Sequence, residues 1–233
     1  LNFLFEHKTL SSAQAKEVLL SISKGTYNES EIASFITVYL MRSITIEELE
    51  GFRDALLELC VRVDLNGHET IDIVGTGGDG KDTFNISTLS CFIVAGTGNK
   101  VSKHGNYGAS SISGSSNVME QLGYTFKTAK DELKKEIETA GICFLHAPLF
   151  HPALKAVGPI RKNLGVRTFF NMLGPMVNPA FPKHQLVGVY SLEMARIYNY
   201  LLQQTDNNFT IIHSLDGYDE ISLTGDTKVI TNK

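Results

Sequence analysis

The chain has 233 residues, 42% of them apolar, with 21 basic and 25 acidic side chains and a formal net charge of -4. That length suits one large domain or a domain with a small companion, and the acidic balance argues against a general nucleic-acid binder, which needs a basic excess. Cys60, Cys91 and Cys143 are odd in number, far apart and without a C-x-x-C pair, which excludes a disulfide framework and a zinc signature and leaves buried free thiols of a cytoplasmic protein; no apolar run is long enough to cross a bilayer, and Leu1 to Lys8 lacks the charged start and cleavage site of a leader.

The first third reads as helices alone. Ser11 precedes Gln14, Asn28 precedes Glu31 and Thr45 precedes Glu48, each at the spacing of a capping box. After Asn28, Ile32, Phe35, Ile36, Tyr39 and Leu40 form a helical stripe; after Thr45, Leu49, Phe52, Leu56, Leu59, Cys60 and Val63 form another. The stripes either pack on one another as a small bundle or serve a subunit interface.

From Asn66-Gly67 onward the pattern alternates strand and helix. Thr70 to Val74 is expected as a strand, Ser87 to Ala95 as a helix and Lys100 to Lys103 as a strand. Asn117 to Leu122 follows as a short helix, Tyr124 to Phe126 as a strand, Lys130 to Ala140 as a helix stopped by Gly141, and Ile142 to His146 as a strand. Gln185 to Tyr190 and Phe209 to His213 read as strands, with a helix between them capped by Ser191 and running to Gln203. Such alternation predicts a mostly parallel sheet with helices on its faces and ligands at the carboxyl ends of its strands. Pro152 to Pro179 is helical again, with Leu154, Val157, Ile160 and Leu164 at helical spacing, so it is expected to fold back onto the first helices. The organisation is therefore a helical domain of residues 1–66 with 152–179, and an α/β domain of 67–151 with 180–233. The last segment reads as a hairpin turning at Gly225-Asp226, and the α/β domain is expected to extend beyond the residues present.

Two small-residue loops follow strands. In the first, Gly75, Gly77 and Gly80 satisfy G-x-G-x-x-G, but the region about 20 residues on, where a dinucleotide site needs an acid, holds Lys100 and Lys103. The Walker A pattern fails because Asp82 stands where a metal-binding hydroxyl belongs. What survives is a loop whose backbone N–H groups can approach an anion. Asp79 within it suits ribose hydroxyls or a metal-bridged pyrophosphate. Thr83, Asn85, Ser87 and Thr88 cluster at a helix start, where free N–H groups favour an anion; Ser87 alone would be a simple N-cap. The second loop, Lys103 to Ser111 with Gly114-Ser115-Ser116, adds a cation and hydroxyls. Together the loops suit a substrate with two phosphate groups and a sugar between them.

Asp72-Ile-Val-Gly-Thr-Gly-Gly-Asp79, Thr83-Phe-Asn85-Ile-Ser87-Thr88, Lys103-His104-Gly105-Asn106 and Ser110-Ser111 resemble, in order and spacing, the phosphoribosyl pyrophosphate (PRPP) motifs of the anthranilate phosphoribosyltransferases. Phe170-Asn-Met-Leu-Gly-Pro175 with Asn178-Pro179 is similar to a further signature, and Leu215-Asp-Gly-Tyr-Asp219-Glu220 to the acidic metal motif. The resemblance implies an α/β fold of nucleoside phosphorylase/phosphoribosyltransferase type, with a small helical domain and a larger mostly parallel domain. It also implies a cytoplasmic, Mg2+-dependent enzyme of tryptophan biosynthesis, homodimeric through the helical domain and binding neither nucleic acid nor membrane.

Position by position, the resemblance places PRPP on Gly75, Gly78, Asp79, Thr83, Asn85, Ile86, Ser87, Thr88, Lys103, Gly105, Asn106, Ser111 and Ser115. It places anthranilate on Gly75, Asn106 and Arg161, Mg2+ on Ser87, Asp219 and Glu220, and the catalytic roles on Lys103 and His104. Arg161 fits, because a planar guanidinium pairs well with a carboxylate. Many family members carry arginine where this chain has Tyr107, and family chains are longer. A pyrimidine nucleoside phosphorylase and a non-enzymatic nucleic-acid-binding relative are the alternatives. The intact motif set and the negative charge favour the transferase.

Overall fold

The computed structural model describes residues 1–81, 83–108 and 113–232. Two compact units are present: residues 1–61 with 148–177, and residues 62–147 with 178–233. The sequence reading sets its breaks at 66, 151 and 179.

The first unit is helical. It contains α1 (Asn2–Phe5), α2 (Ser12–Ser23), α3 (Glu29–Met41) and α4 (Ile46–Leu59). Ser11, Asn28 and Thr45 cap α2, α3 and α4, and all three capping boxes close as their spacing predicts. The stripes bury against one another: Leu19, Ile36, Leu49, Phe52 and Leu56 are essentially inaccessible, whereas Leu40 at the end of the α3 stripe stays exposed. Gly51 lies where α4 meets α2; a Cβ there would stand 2.2 Å from the Ser12 carbonyl oxygen, so only glycine permits that approach.

The later helical segment belongs to this unit from Pro148 to Val177. The short α8 (Ala147–Phe150) leads into α9 (Pro152–Leu164), which packs on α2 and α3; α10 (Phe170–Leu173) and a 3₁₀ turn from Gly174 to Met176 follow. Phe169 stacks on Phe52 at 4.7 Å and meets Phe35 and Tyr39 edge-on, so one aromatic cluster joins both parts of the unit.

The second unit is built on six strands, ordered β3-β2-β1-β4-β5-β6. These are β1 (Ile71–Gly75), β2 (Val101–Gly105), β3 (Ile142–His146), β4 (His184–Gly188), β5 (Asn208–Ser214) and β6 (Thr227–Thr231). Every pairing is parallel except β5 with β6. The intervening helices are α5 (Ile86–Gly96), α6 (Ser115–Gln121), α7 (Lys130–Ala140) and α11 (Leu192–Leu202). Gly141 ends α7 in the left-handed conformation and Ser191 caps α11, as the sequence predicts. Ile73, Cys91 and Val101 form the centre of the packing between α5 and the sheet.

Three expectations are corrected. Tyr124 to Phe126 is not a strand. Its side chains pack on neighbouring elements: Phe126 stacks on His146 of β3 at 4.1 Å, and the Tyr124 hydroxyl donates to Glu136 of the following helix at 2.8 Å. The hairpin at Gly225-Asp226 does not form either. Thr227 to Thr231 instead runs antiparallel to β5, and residues before it fold into a loop whose Ser222 and Thr224 hydroxyls donate to Asp216. Finally, α5 begins at Ile86 with Asn85 as its cap, accepting the Thr88 N–H at 3.1 Å; Ser87 lies inside the first turn.

Candidate functional site

The carboxyl ends of β1, β2 and β4 carry the glycines Gly75, Gly105 and Gly188. Beyond β1 the chain turns through Gly77, Gly78 and Gly80, with φ of +61°, +84° and +70°, values that favour residues without a Cβ. The Thr76 N–H is held by the Gly188 carbonyl and the Gly77 N–H by the Asp219 carboxylate at 2.8 Å. The Lys81 N–H donates to Asp79, and the Lys81 ammonium sits 4.6 Å from the Tyr218 ring centre. This glycine loop is thereby tied to the loop after β5.

At the start of α5, Asn85, Ser87 and Thr88 come together as the sequence predicts. Ser87 donates to the Asn85 side chain at 3.3 Å, and the buried Thr88 hydroxyl has no hydrogen-bond partner. Thr83 is exposed, and Ile86 is the first residue of the helix. Lys103 is not a surface lysine: only 2% exposed, it donates to the Ile73 carbonyl at 2.8 Å and to Ser87 at 3.3 Å. Its charge is thus delivered to the floor of the anion-favouring turn through a hydroxyl.

Asp72 answers that buried cation. It is fully inaccessible, and burial pushes its carboxyl up to about 6 even though Lys103, the Asn178 amide and the His104 N–H all favour the charged form. Asn178 donates to Asp72 at 2.9 Å and to the Ser102 carbonyl at 2.8 Å, and so joins the first motif to the Asn178-Pro179 pair. Both residues lie in motifs legible in the sequence, but the role of neither is legible there. The pairing spans more than a hundred residues, and no local pattern announces it. His104 is buried in β2 beside this pair.

The second loop begins at Gly105, where a Cβ would collide with the Ser115 side chain. Asn106 accepts the Tyr107 N–H on its own side chain and the Ser116 N–H on its carbonyl. Tyr107 donates to Glu120 at 2.7 Å and lies edge-on to His146. Ser110 and Ser111 fall outside the described residues.

Asp79, Asp219 and Glu220 bring three carboxylate oxygens within 4.8 Å of one another. One oxygen of Asp79 and one of Glu220 are buried without a hydrogen-bond partner. Burial and the neighbouring Asp219 charge push Glu220 up to about 8; burial, then Asp79, raises Asp219. Converging, unneutralised hard oxygen donors fit a divalent cation such as Mg2+. Asp219 and Glu220 lie at a bend rather than in a strand, which lets adjacent residues face one ion. Ser87 bonds Lys103 and Asn85, and Asp79, read from sequence as a PRPP residue, joins the acidic group.

Arg161 lies on α9, in the helical unit. It is not a free surface arginine. Its guanidinium donates to Asn171 at 3.2 Å, lies over Phe170 at 5.3 Å and keeps a buried Nε–H without a partner. Asn171 also accepts the Thr168 N–H, so the Phe170-Asn171 signature orients Arg161. Among the described residues no carboxylate forms an ion pair with it.

The sequence and the fold are similar to those of known proteins. Residues 67–233 match the model of the glycosyl transferase family a/b domain, and residues 1–60 that of its helical bundle domain. The anthranilate phosphoribosyltransferase of Christiangramia forsetii is 68% identical over 232 residues, covering 100% of this chain and 70% of the relative. The crystal structure of the Thermus thermophilus enzyme of the same name superposes with a TM-score of 0.88 at 33% identity, covering 99% of this chain and 69% of that one. The Saccharomyces cerevisiae enzyme in complex with PRPP and Mg gives a TM-score of 0.87 at 33% identity, over 95% of this chain and 66% of that one.

Proposed function

The chain belongs to the anthranilate phosphoribosyltransferase family, and from that membership we propose that it transfers the phosphoribosyl group of PRPP to the amine of anthranilate. The products are N-(5-phosphoribosyl)anthranilate and pyrophosphate, in a step of tryptophan biosynthesis. The observation that carries this reading is the convergence, at the carboxyl ends of neighbouring strands of one sheet, of a glycine loop, a buried lysine beneath a hydroxyl turn and three carboxyl groups.

PRPP is an anion whose leaving group gains charge as the C–O bond breaks. The glycine loop beyond β1 and the polar turn of Thr83, Asn85, Ser87 and Thr88 receive it, and Lys103 fixes Ser87 among them. Gly105, Asn106, Ser111 and Ser115 complete the PRPP site on its second loop. Asp79, Asp219 and Glu220 hold Mg2+, which when bound neutralises pyrophosphate charge. Ser87 stands as a further ligand on the family pattern. Arg161 in the helical unit, and Asn106 and the backbone at Gly75 in the α/β unit, are the residues that the family pattern assigns to anthranilate. The aromatic amine is unprotonated at neutral pH, so it attacks without prior activation. The residues act by positioning and charge stabilisation. Burial of His104 in the sheet favours a structural role for it over that of a proton acceptor.

We further propose a homodimer through the helical unit and a cytoplasmic location; no described helix is long and apolar enough to cross a membrane. Neither alternative class gains support from the site. Loss of anthranilate fluorescence on adding PRPP and Mg2+ tests the reaction, and phosphorolysis of thymidine or uridine in its place would overturn it.

A further inference from the structure

Asp219 rests on two glycines. Gly75 and Gly188 are register partners at the ends of β1 and β4. A Cβ on Gly188 would fall 1.7 Å from the Asp219 carbonyl oxygen, and one on Gly75 would fall 2.7 Å from the Asp219 carboxylate. Neither glycine has a positive φ. Backbone freedom therefore does not account for them, and close approach does.

The adjoining Glu220 is held from the other side. Ser214, the inaccessible last residue of β5, donates its hydroxyl to the Glu220 carbonyl at 2.5 Å and accepts the Ser222 N–H at 2.9 Å. It also meets the Thr227 hydroxyl at 2.9 Å. A hydroxyl has one proton. The Ser214 proton is committed to Glu220, so Thr227 is the donor in their pair. All three hydrogen-bonding positions of Ser214 are then filled, two by the loop that presents Asp219 and Glu220 and one by Thr227 of β6.

We propose that Gly188 and Ser214 are positioning residues of the metal centre: the glycine notch sets how close Asp219 comes to the sheet edge, and the Ser214 hydroxyl fixes the main chain at Glu220. This rests on the reading of Asp79, Asp219 and Glu220 as the Mg2+ site. Groups that orient metal ligands typically contribute a factor of about 10 to 100 in metal affinity.

The test is titration of the chain with Mn2+, followed by the paramagnetic resonance of the free ion, for the wild type, Asp219→Asn, Gly188→Ala and Ser214→Ala. Far-UV circular dichroism monitors the fold of each. Expected is wild-type binding that Asp219→Asn abolishes, and binding weakened about tenfold or more by Gly188→Ala and by Ser214→Ala with unchanged helix content. Should Gly188→Ala fail to fold, Ser214→Ala carries the test, since it removes an atom and forces none apart. Wild-type affinity in a folded Ser214→Ala chain, with Asp219→Asn still defective, overturns the positioning role and leaves the metal reading standing. Absence of any Asp219-dependent Mn2+ binding in the wild type overturns the metal reading and this inference with it.

Discussion

Glu48 is the test of what holds the helical unit together. It caps α4 as the acid of its capping box, yet it is fully buried and accepts from much more than Thr45. Arg42 clamps it with two hydrogen bonds of 2.6 and 2.9 Å, and the N–H groups of Leu10 and Thr45 donate at 3.0 Å each. The Tyr39 hydroxyl donates to it as well, at 3.4 Å, so Glu48→Ala removes five acceptor contacts at once. It strands the Arg42 charge, whose side chain is only 16% exposed, and two backbone donors. Breaking a buried ion pair from one side costs about 3–5 kcal/mol. The residual exposure of Arg42 places the expected loss near the lower end, about 3 kcal/mol, or a fall in Tm of about 10 °C for a chain of this size. Glu48→Gln, which keeps one acceptor oxygen, should lose less. Burial raises the Glu48 pKa, but Arg42 and the Leu10 and Thr45 N–H groups outweigh it and hold the carboxyl below 4.5. The ionic stabilisation is therefore complete above about pH 4.5 and lost as pH falls through the lowered value. The gap between wild type and Glu48→Gln should narrow in acid. Urea denaturation at pH 7 and pH 3.5 measures both effects. A loss below about 1 kcal/mol for Glu48→Ala, in the range of an exposed pair, would refute the reasoning.

Three further outcomes follow from the site. Lys103→Met should lower kcat roughly a hundredfold, the scale of losing one preorganised donor, and it leaves Asp72 buried without its cation; steady-state turnover paired with thermal melting separates the two effects. Arg161→Ala should raise KM for anthranilate about 10- to 100-fold, as expected for a lost charge-assisted hydrogen bond, with KM for PRPP little moved. Mg2+ must displace the proton that Glu220 holds up to about pH 8, so metal affinity should fall about tenfold per pH unit below that point. Without metal, the same raised pKa destabilises the fold progressively as pH rises from 4.5 to 8. Calorimetry in buffers of different ionisation heat reads the released proton, and pH-independent affinity without proton release would contradict the assignment.

Local physics made much of this molecule legible. The boxes at Ser11, Asn28 and Thr45 closed because cap and partner lie three residues apart. Gly141 stopped α7 because a left-handed C-cap needs no distant partner. Tyr124 to Phe126 misled because apolar alternation reports burial, not a ladder partner, and its rings found His146 and Phe144 instead. Asn85 caps α5, and the Ser87 hydroxyl, whose simple reading was a cap, accepts instead from Lys103, sixteen residues on. The glycine loop and the Asp219-Glu220 pair stood out as residue types. Asp72 with Asn178, Asn171 under Arg161, and Gly188 beneath Asp219 depend on contacts between distant segments. For Gly188 one local sign was present, a glycine interrupting the apolar run from Leu186 to Tyr190.

The central claim is that the carboxyl ends of β1, β2 and β4 bind PRPP with Mg2+ and deliver it to anthranilate. Calorimetric titration of PRPP into the chain with and without Mg2+, followed by addition of anthranilate under fluorescence, tests it most directly. The account predicts PRPP binding that requires Mg2+ and is lost in Asp219→Asn, then disappearance of the anthranilate signal. A folded chain that takes up no PRPP in the presence of Mg2+ would contradict it.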